Sequence, residues 1–333
     1  MTPDCFDAIP AAQRGTARAA LIAALGSAPI GAITPMTGGV TSASVCRVEV
    51  GGRRLVLRIE GEPSPLRNPH QYLSMRIAAE AGIAPKIHYV DEVARVAVID
   101  FIEPQPLKTY PGGPRALAQA LGELLSRVQA TPVFPHFVNY PDIVARLFAH
   151  VRRTGLFAAG LLDAHVERLE QVRETYDAGL TGLVSSHNDP VPNNILFDGK
   201  RLWLIDWESA YRNDPLVDVA IVLDSLARSP ELQDVLLRAW LGRAADEAVR
   251  ARLLLVRALT RLYYAGVLLS ASALTPRAMP DNDLSAPTVA EFELAARDGR
   301  VKPGAPETKH VLGKMFLASF FSGVAPPGFD SAI

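Results

Sequence analysis

The sequence predicts an α+β chain of two lobes: a small antiparallel sheet carrying one helix, then a larger, mainly helical part interrupted once by a strand hairpin. Three observations predict it. Runs rich in β-formers crowd the first hundred residues, at 45–50, 53–59, 87–90 and 94–100. Helical spacing of apolar residues dominates after Pro114. The stretch Ser186-His187-Asn188-Asp189-Pro190-Val191-Pro192-Asn193-Asn194-Ile195-Leu196-Phe197 breaks that helical part with a polar, proline-broken loop that runs straight into an apolar strand. Loops of this kind build cores poorly and hold reactive groups well.

The elements follow in order. Residues 1–33 read as a helical lead-in, because 17–25 is apolar, rich in good helix formers and stopped by Gly26. A small-residue turn at 36–42 precedes strands 45–50 and 53–59, which Gly51-Gly52 joins as a hairpin. A helix at 71–81 ends at Gly82, and two more strands flank Asp91-Glu92. The first lobe therefore spans 1–103, the Pro- and Gly-rich stretch 104–114 is a linker, and 115–333 forms the second lobe. There Leu117, Leu121, Leu124, Leu125 and Val128 mark a helix opened by Pro114. Further helices are predicted at 143–153, 161–176, 217–226, 231–241, 245–269 and 309–321, while 276–304, rich in proline and charge, reads as a loosely held excursion. In the interruption, 183–185 is a short strand, and 195–197 pairs with 202–205 across the Asp198-Gly199 turn. That turn brings Asn194 and Asp206 together at the open end of the hairpin.

Bulk properties narrow the function. The chain has 333 residues, 49% of them hydrophobic, enough for two lobes with cores of their own. A formal net charge of −1 offers no field for a nucleic acid or an anionic membrane. Cys5 and Cys46 make neither a metal-ligand pattern nor a disulfide framework. The segment MTPDCFDAIP lacks the basic and apolar regions of a secretory signal. The uncharged run after Arg261 is 15 residues, short of a membrane span. The expectation is a soluble, cytoplasmic protein with neither nucleic acid nor membrane as partner, its oligomeric state left open.

Asp189, Asn194 and Asp206 carry the chemistry. Side-chain oxygens in this number suit Mg²⁺, which takes one or two carboxylates and completes its shell with phosphate oxygens and water. A third group left over can act on a nucleophile, and phosphoryl transfer needs just these parts. His187-Asn188-Asp189 followed by four residues and then Asn194 matches the catalytic-loop pattern H-x-D-x-x-x-x-N, and Ile205-Asp206-Trp207-Glu208 stands where kinases carry the metal-binding D-F-G. With Asn213-Asp214-Pro215-Leu216-Val217-Asp218-Val219-Ala220, the chain resembles the aminoglycoside phosphotransferase and choline kinase superfamily, of protein-kinase-like fold, and is nearest to its bacterial choline kinase branch. The likeness extends to Gly38-Gly39-Val40-Thr41-Ser42, Val56-Leu57-Arg58-Ile59, Gly82-Ile83-Ala84-Pro85 and Val98-Ile99-Asp100-Phe101-Ile102, and covers roughly residues 33–270.

The resemblance implies roles residue by residue. Asp189 orients or deprotonates the acceptor hydroxyl, with His187 bracing its loop. Asn194 and Asp206 bind Mg²⁺, and Asp218 anchors the loop from the following helix. Arg58 grips phosphate oxygens, which a guanidinium does bidentately. Gly38, Gly39 and Thr41 form the flap over the phosphates. Asp100, Phe101 and Ile102 form the hinge that meets adenine. Glu208 is a further metal or acceptor contact. One departure stands out. The family carries a Glu on the first-lobe helix to pair with the basic residue of the third strand, and Gln71 occupies that position here, unless Glu80 supplies the partner. A second is Ser126-Arg127-Val128-Gln129, where relatives often have Leu-His.

Each residue has a plainer reading as well. A loop His or Asp is commonly a turn former, Asp218 suits a helix dipole, Asp214 before Pro215 suits an N-cap, and glycine pairs mark turns generally. The expected activity is transfer of the γ-phosphate of ATP, with Mg²⁺, to a small-molecule hydroxyl. Choline or a related amino alcohol is the acceptor that the resemblance implies. An aminoglycoside or another hydroxylated metabolite is the alternative acceptor, and a regulatory, nucleotide-binding pseudokinase is the alternative class. Quaternary ammonium groups are usually caged by aromatic faces, for which Tyr263, Tyr264 and Trp240 are the candidates; Trp203 and Trp207 read as core.

Overall fold

The computed structural model describes residues 5–36, 43–61, 67–178, 182–275 and 277–322. The first lobe rests on an antiparallel sheet of strands β1 (Ile30–Pro35), β2 (Ser44–Val50), β3 (Arg53–Ile59), β4 (Ile87–Asp91) and β5 (Val96–Asp100), in the order β1-β2-β3-β5-β4. Gly51 and Gly52 turn β2 into β3 with positive φ at both positions, backbone that glycine adopts without a Cβ penalty. The turn fixes the register Cys46↔Leu57 and Val48↔Leu55. These pairs share one face of the sheet, where they are buried with Ala17, Ala20 and Leu21 of α1 (Arg14–Leu25). Val45 and Arg58, also cross-strand partners, lie on the opposite face, toward the second lobe.

Strand β1 corrects the expected helical lead-in. The chain leaves α1 at Gly26 (φ 64°) and lays 30–35 along β2. Ile33 is the one buried residue of this edge strand, so no alternation announces it.

Helix α2 (Gln71–Glu80) turns its Tyr72, Met75 and Ala78 into the core of the second lobe, which ties the lobes together. The chain then crosses at Gln105, whose N–H donates to Phe197 O (2.7 Å). The second lobe contains α3 (Gly113–Gln129), α4 (Tyr140–Arg153), α5 (Asp163–Ala178), α6 (Leu216–Ser225), α7 (Pro230–Leu241), α8 (Glu247–Ser272), α9 (Val289–Arg297) and α10 (Pro306–Ser322). Four short strands interrupt it as two pairs: β6 (Val184–Ser186) with β9 (Tyr211–Asn213), and β7 (Ile195–Phe197) with β8 (Leu202–Leu204).

Helix α8 is central and packs against α4, α6 and α10. Among the described residues it is the one helix long and apolar enough to cross a membrane, but 61% of its apolar window is buried inside the protein, as befits a core helix. Asp246 starts it by accepting from Val249 N (2.9 Å).

The segment expected as a loose excursion is anchored. Asp281 exchanges backbone hydrogen bonds with the chain before α5, accepting from Ala158 N (2.8 Å) and donating to Leu156 O (2.9 Å). Its carboxylate meets His310 Nε2 (2.7 Å) and Lys314 Nζ (3.1 Å) of α10. Thr288 and Glu291 then form a capping box that starts α9.

Candidate active site

The catalytic-type loop is held by Asp218. Fully buried at the start of α6, this carboxylate accepts from the backbone N–H of His187 (2.8 Å) and of Asn188 (2.7 Å). Burial raises its pKa to about 6, against the two amides that stabilise the charge. Asn188 adopts φ 63°, which is strained for a residue with a Cβ. Its side chain repays this by donating to Ser209 O (2.8 Å) and accepting from Asn213 Nδ2 (2.7 Å). His187 is also fully buried, and burial pushes its pKa down to about 4. The neutral ring donates Nε2–H to Ile205 O (2.9 Å), so it ties the loop to the strand leading into Asp206. That is the geometry of a brace, not of a proton carrier.

At the open end of the β7–β8 hairpin, Ile205 N donates to Asn194 O (3.0 Å), so the residues flanking the two strands meet as the turn requires. Asn194 turns its Nδ2 toward Asp189 Oδ2 (3.0 Å) and Asp189 O (3.0 Å), which leaves its carbonyl oxygen for a cation. The other oxygen of Asp189 accepts from Tyr264 Oη on α8 (2.7 Å). Burial, and the Asp189 charge after it, raises the Tyr264 pKa, so this hydroxyl stays a donor. Burial also pushes Asp189 up to about 8; Asp206 and Glu208 add to the rise, and the bonds from Tyr264 and Asn194 oppose it.

Arg58 faces these carboxylates from β3. Its Nη2 lies 3.0 Å from Asp206 Oδ1 and 3.0 Å from Glu208 Oε2. Burial works against its charge, yet Asp206, Glu60 and Glu208 together raise its pKa. Neither Gln71 nor Glu80 pairs with it, which corrects the sequence expectation. Gln71 is buried at the start of α2 and lines the cleft, while Glu80 is exposed at the far end of that helix. The partner is Glu60, two residues along the chain, whose carboxylate takes the Arg58 Nε–H. Sequence reasoning missed Glu60, the bond from Tyr264 to Asp189 and the Asn188–Asn213 pair. The signal that marks Glu60 is its spacing, two residues after Arg58, which puts both side chains on one face of an extended strand.

The cleft between the lobes has a volume of about 640 Å³. Arg58, Gln71, Asp189, Asn194, Asp206 and Glu208 all line it, as do Asp100, Phe101 and Ile102. Asp100 and Phe101 donate their N–H groups to Lys86 O (2.9 Å) and Arg54 O (3.2 Å), so of the three it is Ile102 whose N–H engages no acceptor among the described residues. Gly38, Gly39 and Thr41 lie outside the described residues. Trp240 is not at the cleft: its Nε1 donates to Gln129 Oε1 (2.8 Å) between α7 and α3. Gln129 also donates to Pro215 O (2.8 Å), so this departure from the family's pattern braces the start of α6.

The donor set fits Mg²⁺. Among the described residues no group of three or more His, Cys, Asp or Glu stands at metal-binding spacing. Mg²⁺ needs no such cage, since it binds through one or two carboxylates with substrate oxygens and water. Asp206 Oδ1 is buried and receives no hydrogen bond, despite its ion-pair distance to Arg58. Burial and the neighbouring carboxylates raise the pKa of Asp189 and Glu208 alike, a strain that a cation relieves.

A family model described as the phosphotransferase enzyme family matches residues 32–253, and the chain belongs to that family. Two LicA proteins of Haemophilus influenzae are similar in sequence. One is 44% identical over 199 residues, covering 58% of this chain and 74% of that protein. The other is 24% identical over 209 residues, so the alignment spans 61% of its length. The crystal structure of a choline/ethanolamine kinase family protein from Mesorhizobium loti superposes with a TM-score of 0.62 at 24% identity, covering 95% of this chain and 96% of that one. The fold is the bilobal, kinase-like one.

Proposed function

We propose that the chain transfers the γ-phosphoryl group of ATP to the hydroxyl of choline or a related amino alcohol. The observation that carries this reading is Asp189 itself. Its two oxygens are fixed by Asn194 and Tyr264 in a cleft that Arg58, Asp206 and Glu208 also line. A carboxylate so held is placed to receive a proton from an approaching alcohol.

In the reaction, the acceptor oxygen bonds to the γ-phosphorus as the bond to the β–γ bridging oxygen breaks. ADP leaves, and the hydroxyl proton passes to Asp189. Asn194 and Asp206 are the residues that would hold Mg²⁺, which when bound neutralises phosphate charge. The Nη end of Arg58 exchanges Asp206 and Glu208 for phosphate oxygens. Asp218 and His187 keep the loop from drifting. Tyr263 and Tyr264, in ring contact at 5.4 Å, bring aromatic surface to the cleft beside Glu208. Aromatic faces with a carboxylate suit the cationic head of an amino alcohol, and the LicA and choline/ethanolamine kinase likenesses support that class.

The test is Mg²⁺-dependent ADP release with choline, ethanolamine, other amino alcohols, aminoglycosides and simple sugars, with Asp189→Asn as control. Stimulation by amino alcohols, lost in the variant, is expected. Stimulation by aminoglycosides or sugars instead would replace the acceptor class, and ATP binding without stimulation by any acceptor would favour the pseudokinase.

A further inference from the structure

Glu60 is a buried carboxylate, 5% exposed, that no part of the phosphoryl-transfer chemistry requires. It sits at the end of β3 between two arginines. Its Oε1 accepts from Arg58 Nε, and its Oε2 lies 3.0 Å from Arg67 Nη1. Arg67 also reaches toward Glu208, with Nη2 at 3.8 Å from Oε2. The strand fixes Glu60 from behind, because its own N–H donates to Arg95 O (2.9 Å). The result is a quartet in which Arg58 and Arg67 alternate with Glu60 and Glu208.

The geometry divides the labour of the Arg58 guanidinium. Glu60 takes the Nε edge, near the stem. Nη2, at the far end, faces Asp206 and Glu208 at 3.0 Å each, inside the cleft. A guanidinium grips phosphate through a rigid fork of N–H groups, so its orientation decides whether it grips at all. Helix α2 gives no carboxylate for that purpose, since Gln71 is neutral and Glu80 is exposed. We propose that Glu60 is the positioning residue for Arg58, supplying from the same strand the carboxylate that α2 lacks and aiming the Nη end at the phosphates of ATP. The inference rests on the nucleotide-binding reading above, and it needs no particular acceptor.

The sign of the effect separates this role from simple charge balance. Deleting a carboxylate close to a polyphosphate removes repulsion, so charge alone predicts that Glu60→Gln binds ATP more tightly. Loss of aim predicts weaker binding of ATP and unchanged binding of AMP, whose single phosphate lacks the β- and γ-groups that the Nη end would meet. The experiment is calorimetric titration of the full chain with ATP and with AMP, both with Mg²⁺, for wild type and Glu60→Gln, without acceptor. ATP affinity is expected to fall by about tenfold, the worth of a charge-assisted hydrogen bond, while AMP affinity holds. ATP affinity that rises or holds, or an equal fall for both nucleotides, overturns the proposal, as does a wild type with no preference for ATP over AMP. If Glu60→Gln does not fold, Glu60→Asp keeps the charge, withdraws it by one methylene, and is read against the same outcomes. Turnover does not enter, so a chain that binds ATP through Glu60 and phosphorylates nothing would end the transferase reading alone.

Discussion

Asp189 draws its two hydrogen bonds from different parts of the chain. Asn194 is five residues away on the same loop, and Tyr264 is 75 residues away on α8. The first contact lies within one loop, where the H-x-D-x-x-x-x-N spacing already groups the two residues. The second was not legible, since no pattern in sequence couples a loop carboxylate to a helix that far along the chain. Arg58 and Glu208, 150 residues apart, are hidden for the same reason. Two outcomes follow at this scale. Asp189→Asn lowers turnover by about 10²-fold or more while ATP still binds, as steady-state kinetics and titration would show. Tyr264→Phe removes a single hydroxyl and lowers kcat by about tenfold with KM for ATP unchanged. A rise in that KM with kcat intact would place Tyr264 in nucleotide binding instead.

At the scale of elements, the sequence reads best where burial is periodic. The β2–β3 hairpin and the long helices of the second lobe announce themselves through alternation or helical spacing, and their ends fall within a few residues of expectation. Strand β1 buries Ile33 alone and borrows its stability from β2, so tertiary pairing makes it a strand. Helix α9 carried a readable start in Thr288-Val289-Ala290-Glu291, masked by the proline-rich company it keeps. The three residues of β9 exist because β6 pairs with them. Close helix packing gives a test of the arrangement. A Cβ at Gly122 on α3 would stand 2.4 Å from Leu236 O and 2.9 Å from Ala239 Cβ of α7. Backbone does not yield as a flexible side chain does, so Gly122→Ala costs about 1–3 kcal/mol and lowers Tm by several degrees. An unchanged Tm would contradict the α3–α7 contact.

Across the whole molecule, two cores meet along a cleft, and the C-terminal helices support the wall that carries Tyr264. Its ring touches Phe316 of α10 at 5.7 Å, and α10 is clasped by Asp281. Burial would raise the Asp281 pKa, but hydrogen bonds from His310, Asp283 N and Lys314 overturn that and pull it down to about 2. A carboxylate lowered on folding stabilises the protein fully above its unfolded value, about 3.9. That contribution disappears as pH falls through the folded value. His310, lowered first by burial, also favours the fold when neutral and weakens it on acidification. The Tm difference between wild type and Asp281→Asn should therefore be present at neutral pH and shrink toward pH 2. A difference that persists unchanged to pH 2 would contradict the clasp.

In the proposed reaction the phosphoryl group passes directly from ATP to the alcohol while Asp189 takes the hydroxyl proton. The most direct measurement is ³¹P NMR of a reaction containing the protein, ATP, Mg²⁺ and choline. A growing phosphomonoester resonance matched mole for mole by ADP is expected, its growth slowed by about 10²-fold or more with Asp189→Asn. Inorganic phosphate in place of the ester, or the same ester from Asp189→Asn at an undiminished rate, would contradict it.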